Sequence, residues 1–258
     1  MNRFLSLIYG VLIYVAFLGT LAYAACFVGD IVVPKTIDSG MQSSLVVAIL
    51  INTLLLGSFA VQHSVMARQG FKRAWTQVVP RQLERPTYVL AASLVLALLL
   101  WQWRPIPQVV WELHGTAETV LSVTFWLGWA LLLASTFLIN HFELFGLQQV
   151  WTYFRRKEHT EAKFRTPALY KVVRHPLYLG FIIAFWSAPR MSLGHLIFAI
   201  ATTGYILLGI YFEERDLVKA HGQAYRSYRE QVPMLLPFPK APKGASEPAP
   251  TARRVDQW

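Results

Sequence analysis

Six apolar segments, separated by short polar connections, constrain this chain more than any other feature of its sequence. They cover residues 4–28, 44–65, 87–103, 120–139, 177–188 and 191–212. A helix needs about 20 apolar residues to cross a bilayer, and five of the segments are convincing spans. Because backbone polar groups in lipid must be satisfied within the structure, we predict an all-α, polytopic integral-membrane bundle with five or six transmembrane helices.

The segment over residues 177–188 is too short to cross a bilayer alone, because about 20 residues are needed. The following apolar segment begins directly after Pro189 and Arg190. We therefore expect the last two segments to form a tight helical hairpin whose first arm extends back through residues 168–174. This arrangement gives six crossings, or five crossings and a re-entrant arm.

The net charge of +10 is unevenly distributed, and the distribution decides what the charge means. Alternate connections are strongly basic and those between them are not, as the positive-inside rule describes. We therefore expect both termini in the cytoplasm and a lipid bilayer around the helices. Nucleic acid is not expected as a partner, because topology already accounts for the charge. The two basic connections contain Arg68, Lys72, Arg73, Arg81 and Arg85, and Arg155, Arg156, Lys157, Lys163, Arg165, Lys171 and Arg174.

Beyond the last apolar segment the chain stays helical for a short distance. A polar, amphipathic helix is predicted up to His221, with Gly222 as its C-cap, and a second short helix over residues 225–231. The tail over residues 237–258 is rich in Pro, Ala and Lys without an apolar period, so we expect it to be disordered. The basic, aromatic connection over residues 148–171 is predicted to lie on the membrane surface as an interfacial helix.

A polar motif opens the fifth apolar segment. Proline is favoured at the first position of a helix, so Pro176 predicts a helix that begins there with His175 as its cap. The exposed amides of such a start attract anions, such as a carboxylate. Tyr178 and Leu179 lie three and four residues after His175 and share its face, and Gly180 lets a backbone or a ligand approach closely. The alternative is an interfacial corner in which Gly180 serves helix packing.

Two adjacent carboxylates, Glu213 and Glu214, follow the sixth apolar segment. Ionisable groups near a membrane boundary are costly unless paired and indicate function by default. Neighbouring residues on a helix point about 100° apart, so the two acids can serve different partners. If the hairpin closes, they come near Arg174 and His175 and form a site with anion- and cation-binding groups. S-adenosylmethionine fits such a site, and a solvated helix face with ion pairs to Arg215 is the alternative.

Together these motifs resemble the C-terminal region of the isoprenylcysteine carboxyl methyltransferase and phospholipid methyltransferase superfamily. The match runs over residues 174–237, about a quarter of the chain, and ends with Tyr225, Tyr228 and Pro233. The resemblance implies one transmembrane domain over residues 1–236, with a cytoplasmic site for S-adenosyl-L-methionine within residues 174–236. The cofactor-binding residues that it implies are Arg174, His175, Tyr178, Leu179, Gly180, Glu213, Glu214 and Tyr225.

The N-terminal part of the chain narrows this resemblance. Residues 62–64 (Gln-His-Ser), 84–88 (Glu-Arg-Pro-Thr-Tyr) and 140–147 (Asn-His-Phe-Glu-Leu-Phe-Gly-Leu) are similar to the branch that contains the methanethiol-methylating enzymes and the NnrU-like proteins. This resemblance implies methyl transfer from S-adenosyl-L-methionine to the sulfur of methanethiol, which gives dimethyl sulfide and S-adenosylhomocysteine. Composition and periodicity alone indicate no more than a membrane enzyme, and no protein partner is implied.

Methylation of a small thiol requires help with its proton, because the thiolate is the nucleophile. The first candidate for the base is His141, which has polar neighbours in Asn140 and Glu143, and the second candidate is His63. Asn140 and Glu143 are three residues apart and would share a helix face. No spacing of His, Cys or carboxylate residues suggests a metal site.

Two alternatives stay open. The first is a methyltransferase with another acceptor: an isoprenylcysteine carboxylate, a phospholipid amine or another thiol. A lipid acceptor would require a lateral opening between helices, whereas a small thiol would require a closed pocket. The second is a non-catalytic, NnrU-like membrane protein. Few charged residues lie near the predicted midplane, which argues against transport.

Overall fold

The computed structural model describes residues 2–157 and 166–238. This part of the chain is mostly helical, which confirms the all-α prediction; a short 3-10 helix covers Ala168–Lys171 and two short strands form one antiparallel pair. In chain order the elements are α1 (Arg3–Val28), α2 (Leu45–Ala67), α3 (Gln69–Trp75), α4 (Arg81–Gln102), β1 (Val109–Glu112), α5 (Thr116–Ile139), α6 (His141–Leu144), α7 (Leu147–Phe154), α8 (Pro176–Trp186), β2 (Arg190–Ser192), α9 (Leu193–His221) and α10 (Gln223–Gln231).

Five helices, α1, α2, α4, α5 and α9, have the length and hydropathy of membrane spans, with 22 to 29 residues each. Their outward faces carry large apolar side chains in rows, such as Leu12, Leu54 and Leu127, which are 64%, 69% and 61% exposed. Water solvates such rows of apolar side chains poorly, whereas lipid tails solvate them well. The protein is therefore an integral membrane protein, as predicted.

The paired strands establish how many times the chain runs through the bundle. Strand β1 joins α4 to α5 and β2 joins α8 to α9, and Trp111 lies opposite Met191 in their antiparallel ladder. The end of α8 therefore returns to the level at which α5 starts. The described chain runs through the bundle six times, with α8 as the short passage. Eleven residues of helix reach about 16 Å, so non-helical residues complete that passage on both sides.

Helix α8 lies in a groove of α5, at a crossing of two glycines. A Cβ atom on Gly180 would lie 2.7 Å from the carbonyl oxygen of Gly128, and one on Gly128 would lie 2.8 Å from the carbonyl oxygen of Gly180. Only residues without a side chain permit this backbone approach, a common device in membrane bundles. Next to the crossing, the Trp129 ring packs against Phe181 and Phe185.

The predicted extension of α8 back through residues 168–174 is wrong. Residues 168–171 form a separate 3-10 turn, and α8 begins at Pro176 with His175 as its cap. The backbone amides of Arg174 and His175 donate to the carbonyl oxygens of Pro233 and Met234, at 2.9 and 3.1 Å. These amides are therefore committed to the C-terminal segment and cannot enter a helix.

The ends of the described chain lie at the same end of the bundle. At the start of α1, the Arg3 guanidinium lies 5.5 Å from the centre of the Tyr153 ring in α7. The C-terminal segment lies at this end too, because Val232 accepts a hydrogen bond from Arg174. We call this end, where α5 finishes and α8 begins, the α7 end of the bundle.

Two predicted segments are only partly described. The interfacial helix predicted over residues 148–171 corresponds to α7 and the later 3-10 turn, while residues 158–165 lie outside the described residues. The predicted disordered tail from residue 237 likewise lies outside them from residue 239 onward. The predicted C-cap at Gly222 is confirmed: its φ of 55° is a left-handed conformation that glycine adopts easily.

Candidate active site

A buried ion cluster lies at the α7 end of the bundle and joins α8 to α9. One oxygen of the Glu214 carboxylate, Oε1, accepts a hydrogen bond from Arg174 Nε at 2.7 Å, and it lies 2.7 Å from Arg174 Nη2 and 3.2 Å from His175 Nε2. The Arg174 and Glu214 side chains are only 6% and 12% exposed. Because a buried charge is tolerated when it is paired and fully hydrogen-bonded, each of these groups depends on the others. We call Arg174, His175 and Glu214 the charge clamp.

The charge clamp also holds the C-terminal segment. The second arm of the Arg174 guanidinium donates to the backbone carbonyl oxygens of Arg229 and Val232, at 3.1 and 2.5 Å. One side chain therefore binds a carboxylate of α9 and the backbone that follows α10. The result is a short cover over the start of α8, fixed by charge-assisted hydrogen bonds.

Glu213 points away from the clamp and leaves a carboxylate within reach of a ligand. Its side chain accepts one hydrogen bond, from the Tyr178 hydroxyl at 2.8 Å, and the residue is exposed. The prediction that the two neighbouring acids serve different partners is therefore confirmed. A carboxylate with a single neutral partner can still bind a cation, such as an ammonium group.

The first turn of α8 supplies donors beside this carboxylate. Pro176 has no amide hydrogen, and within the described part of the chain the amides of Leu177 and Tyr178 have no hydrogen-bond acceptor. Free amides at a helix start attract negative charge. The site therefore offers donors for an anion at the start of α8 and, on α9, a carboxylate for a cation.

Three tyrosines lie near this site: Tyr170, in the turn before α8, and Tyr225 and Tyr228, in α10. Burial raises the pKa of Tyr228 to about 12, so its hydroxyl keeps its proton at neutral pH and donates to the Tyr170 carbonyl oxygen at 2.5 Å. Burial also raises the pKa of Tyr170 and of Tyr225 above that of an ordinary tyrosine. The Tyr170 hydroxyl donates to the Ser135 carbonyl oxygen at 3.4 Å, about one helical turn before α5 ends. The site is thus set slightly into the bundle, under neutral aromatic groups.

Three of the predicted cofactor-binding residues, Gly180, Leu179 and Tyr225, are engaged in contacts within the protein. Gly180 faces the backbone of α5, so its close approach serves helix packing. Leu179 is half-buried in α8, and its amide bonds the His175 carbonyl oxygen. Tyr225 is almost fully buried and stacks edge-on against Tyr228.

His141 lies in a separate cluster, between α1, α5 and α6. Its Nε2 lies 2.6 Å from the Tyr14 hydroxyl and its Nδ1 lies 2.8 Å from the Thr136 hydroxyl. The ring stacks on Phe137 and packs edge-on against Phe145. Burial lowers the pKa of His141. Both ring nitrogens therefore have partners within the protein, and its role as the thiol base stays a prediction.

The neighbours of His141 are engaged in local structure. Asn140 caps α6, and its side-chain amide donates to the carboxylate of Glu143 at 2.7 Å and to Gln148 at 2.8 Å. Asn140 is the N-cap of α6 and not a residue of the helix, so it meets Glu143 through this hydrogen bond rather than by sharing a helix face. Local hydrogen bonds alone account for the positions of Asn140 and Glu143.

His63 lies in a second polar cluster, between α2, α4 and α9. The Tyr88 hydroxyl approaches its ring nitrogens to 3.0 and 3.1 Å, and the hydroxyls of Ser64 and Tyr205 lie 3.0 Å apart. Tyr205 and Glu213 lie on the same helix, α9, about two turns apart. Sequence reasoning gave Tyr205 no role, because a lone tyrosine within an apolar segment carries no pattern.

Comparison with known proteins agrees with these features. The family model described as NnrU protein matches residues 49–222, about two thirds of the chain and most of the site. The chain belongs to the NnrU family. No solved structure matches it.

Several curated relatives are similar to this NnrU-family chain over nearly its whole length. The methanethiol S-methyltransferase of Mycobacterium tuberculosis is 56% identical over 240 residues, which cover 93% of this chain and 98% of that protein. Methanethiol S-methyltransferase 1 of Bradyrhizobium diazoefficiens is 55% identical over 238 residues, which cover 92% of this chain and 83% of that protein. The methanethiol S-methyltransferase of Crocosphaera subtropica is 53% identical over 242 residues, which cover 92% of this chain and 95% of that protein.

The two neighbouring glutamates give a matched pair for a stability test. Replacing Glu214 by Gln leaves the buried Arg174 guanidinium without its counter-ion, a change that typically costs about 3–5 kcal/mol. We expect Glu214→Gln to lower the unfolding temperature in detergent by several degrees or more. Glu213→Gln, at an exposed position with one hydrogen bond, should leave it nearly unchanged. Thermal unfolding followed by tryptophan fluorescence measures both, and equal unfolding temperatures for the two variants would contradict the clamp.

Proposed function

We propose that this protein transfers the methyl group of S-adenosyl-L-methionine to the sulfur of methanethiol, producing dimethyl sulfide and S-adenosylhomocysteine. The observation that carries the proposal is the similarity over more than nine tenths of the chain to enzymes named for this reaction. The geometry at the α7 end supports the proposal independently. Free amides there can bind the carboxylate of an amino acid, and a carboxylate there can bind its ammonium group.

The donor set at the α7 end fits the proposed cofactor. The amides of Leu177 and Tyr178 would hold its carboxylate, and the Glu213 carboxylate would hold its ammonium group. The charge clamp would act indirectly, because it fixes the start of α8 and the position of Glu213. S-adenosyl-L-methionine, when bound, supplies a methyl group attached to a positively charged sulfur.

The surroundings suit a reaction between a thiolate and a cation. Opposite charges disappear along the reaction path, so a water-poor pocket favours the transition state over the separate ions. The tyrosines that cover the site keep their protons and present no competing anion. Positioning of the sulfur against the methyl carbon would supply much of the rate enhancement.

Activity and cofactor binding can be tested in the same preparation. Purified protein in detergent, given S-adenosyl-L-methionine and methanethiol, should release dimethyl sulfide into the headspace, as measured by gas chromatography against a sample without cofactor. Glu213→Gln should weaken cofactor binding by about tenfold to a hundredfold, since a charged hydrogen bond is lost. Glu118→Gln, an exposed acid of α5 near the β1 end, is the matched control and should bind like the unmodified protein.

The outcomes separate the proposed function from its alternatives. Cofactor binding without dimethyl sulfide would indicate a methyltransferase with another acceptor. Absence of both binding and product would contradict the proposal entirely. Normal binding by Glu213→Gln, with product formed by the unmodified protein, would place the ammonium group elsewhere.

We further propose that the α7 end faces the cytoplasm, with both termini, because the basic connections lie there. Labelling with a membrane-impermeant maleimide tests this orientation in a Cys26→Ala background. A cysteine introduced at His114, between β1 and α5, should react in intact cells. One introduced at Gln77, between α3 and α4, should react only after permeabilisation. The reverse pattern would invert the topology.

A further inference from the structure

The polar cluster around His63 is built from three helices and belongs to neither the charge clamp nor the cover. Its four members are His63 and Ser64 of α2, Tyr88 of α4 and Tyr205 of α9, and we call it the His63 subsite. The Phe59 ring stacks on His63 at 5.3 Å between ring centres and packs edge-on against Tyr205 at 6.4 Å. His63 lies about one turn before the end of α2, and ionisable groups within membrane helices are costly and usually functional.

The hydrogen bonding of His63 is incomplete. Tyr88 is the partner of both ring nitrogens, at 3.0 and 3.1 Å, and a single hydroxyl nearly equidistant from the two cannot lie along the in-plane direction of both. Among the described residues the ring has no other hydrogen-bond partner. One nitrogen of His63 is therefore open to an incoming proton donor, whereas both nitrogens of His141 are already bonded.

The charges around the subsite favour a thiolate. The Arg85 guanidinium lies 5.8 Å from the centre of the ring of Tyr88, the residue that contacts His63. A nearby positive charge stabilises an anion such as a thiolate and opposes lasting protonation of the imidazole. The subsite is also linked to the proposed cofactor site through α9, because this helix carries Tyr205 and, about two turns later, Glu213, which bonds Tyr178.

We propose that the His63 subsite binds the methyl acceptor and that His63 removes the thiol proton, with Tyr88 setting the orientation of the imidazole. This inference rests on the proposed function. The thiol S–H bond breaks and its proton passes to the open nitrogen of His63. The sulfur electron pair forms a bond to the methyl carbon. The bond between that carbon and the sulfonium breaks, with its electron pair left on the sulfur of S-adenosylhomocysteine. His63 then releases one proton to solvent, which balances the reaction.

A comparison of two acceptors isolates this proton transfer. A selenol is a stronger acid than the matching thiol and is largely ionised at neutral pH, so methaneselenol needs no base. In His63→Gln we expect turnover of methanethiol to fall by about a hundredfold or more, while turnover of methaneselenol stays close to that of the unmodified protein. Cofactor binding, measured by isothermal titration calorimetry, should be unchanged.

Two further variants serve as controls. His141→Gln disrupts a fully bonded structural histidine, so any loss should be equal for the two acceptors. Tyr88→Phe should show the acceptor-selective loss at a smaller size, which keeps the test valid if His63→Gln does not fold.

Each outcome bears on a different claim. Equal losses on both acceptors, or normal methanethiol turnover in His63→Gln, would overturn the assignment of His63. An acceptor-selective loss in His141→Gln instead would move the base to that residue. If the unmodified protein forms no dimethyl sulfide, the proposed function itself fails, and this result is distinguishable from the others.

Discussion

A guanidinium and a carboxylate meet at the membrane boundary, where neither could remain charged and buried without the other. Arg174 and Glu214 are almost fully removed from solvent and bond each other at 2.7 Å. Their pairing requires that the start of α8 lies against α9, and the remaining donors of Arg174 draw in the carbonyl oxygens after α10. This contact therefore joins the start of α8, the helix α9 and the segment after α10.

The two adjacent acids, Glu213 and Glu214, have different partners. Glu214 is used to hold the structure, and for this reason Glu213 can keep a carboxylate open beside the unpaired amides of α8. In the proposed reaction, the His63 subsite would supply the basic nitrogen. Anchoring, cofactor binding and proton transfer would then fall to separate side chains on α2, α4, α8 and α9. Preorganisation of this kind lowers the reorganisation that a reaction requires.

Features governed by local rules could be predicted from the sequence. The spans followed from apolar length, the start of α8 from Pro176 and the end of α9 from Gly222. The family resemblance of residues 174–237 indicated the charge clamp residues, although it did not distinguish the structural acid from the open one. That distinction depends on which way two neighbouring side chains turn, and their partners, Arg174 and Tyr178, decide it.

Features governed by distant partners could not be predicted. Residues 168–174 do not extend α8 because Pro233 and Met234, about sixty residues later, take up the amides at its start. Gly180 meets Gly128 across a helix pair that no spacing reveals. The sequence indicates polar neighbours for His141, but it does not show that Tyr14, from the distant helix α1, bonds its ring. Tyr88, from the next long helix, leaves His63 partly open.

The most direct test is an experimental structure of the protein in lipid nanodiscs with S-adenosylhomocysteine. We predict that the amino acid end of the ligand lies between Glu213 and the first turn of α8, with its sulfur directed towards His63 and Tyr88. The Arg174–Glu214 pair should be intact and should not be displaced by the ligand. Ligand density at the β1 end of the bundle, or a ligand that breaks the clamp to reach Glu214, would contradict this account.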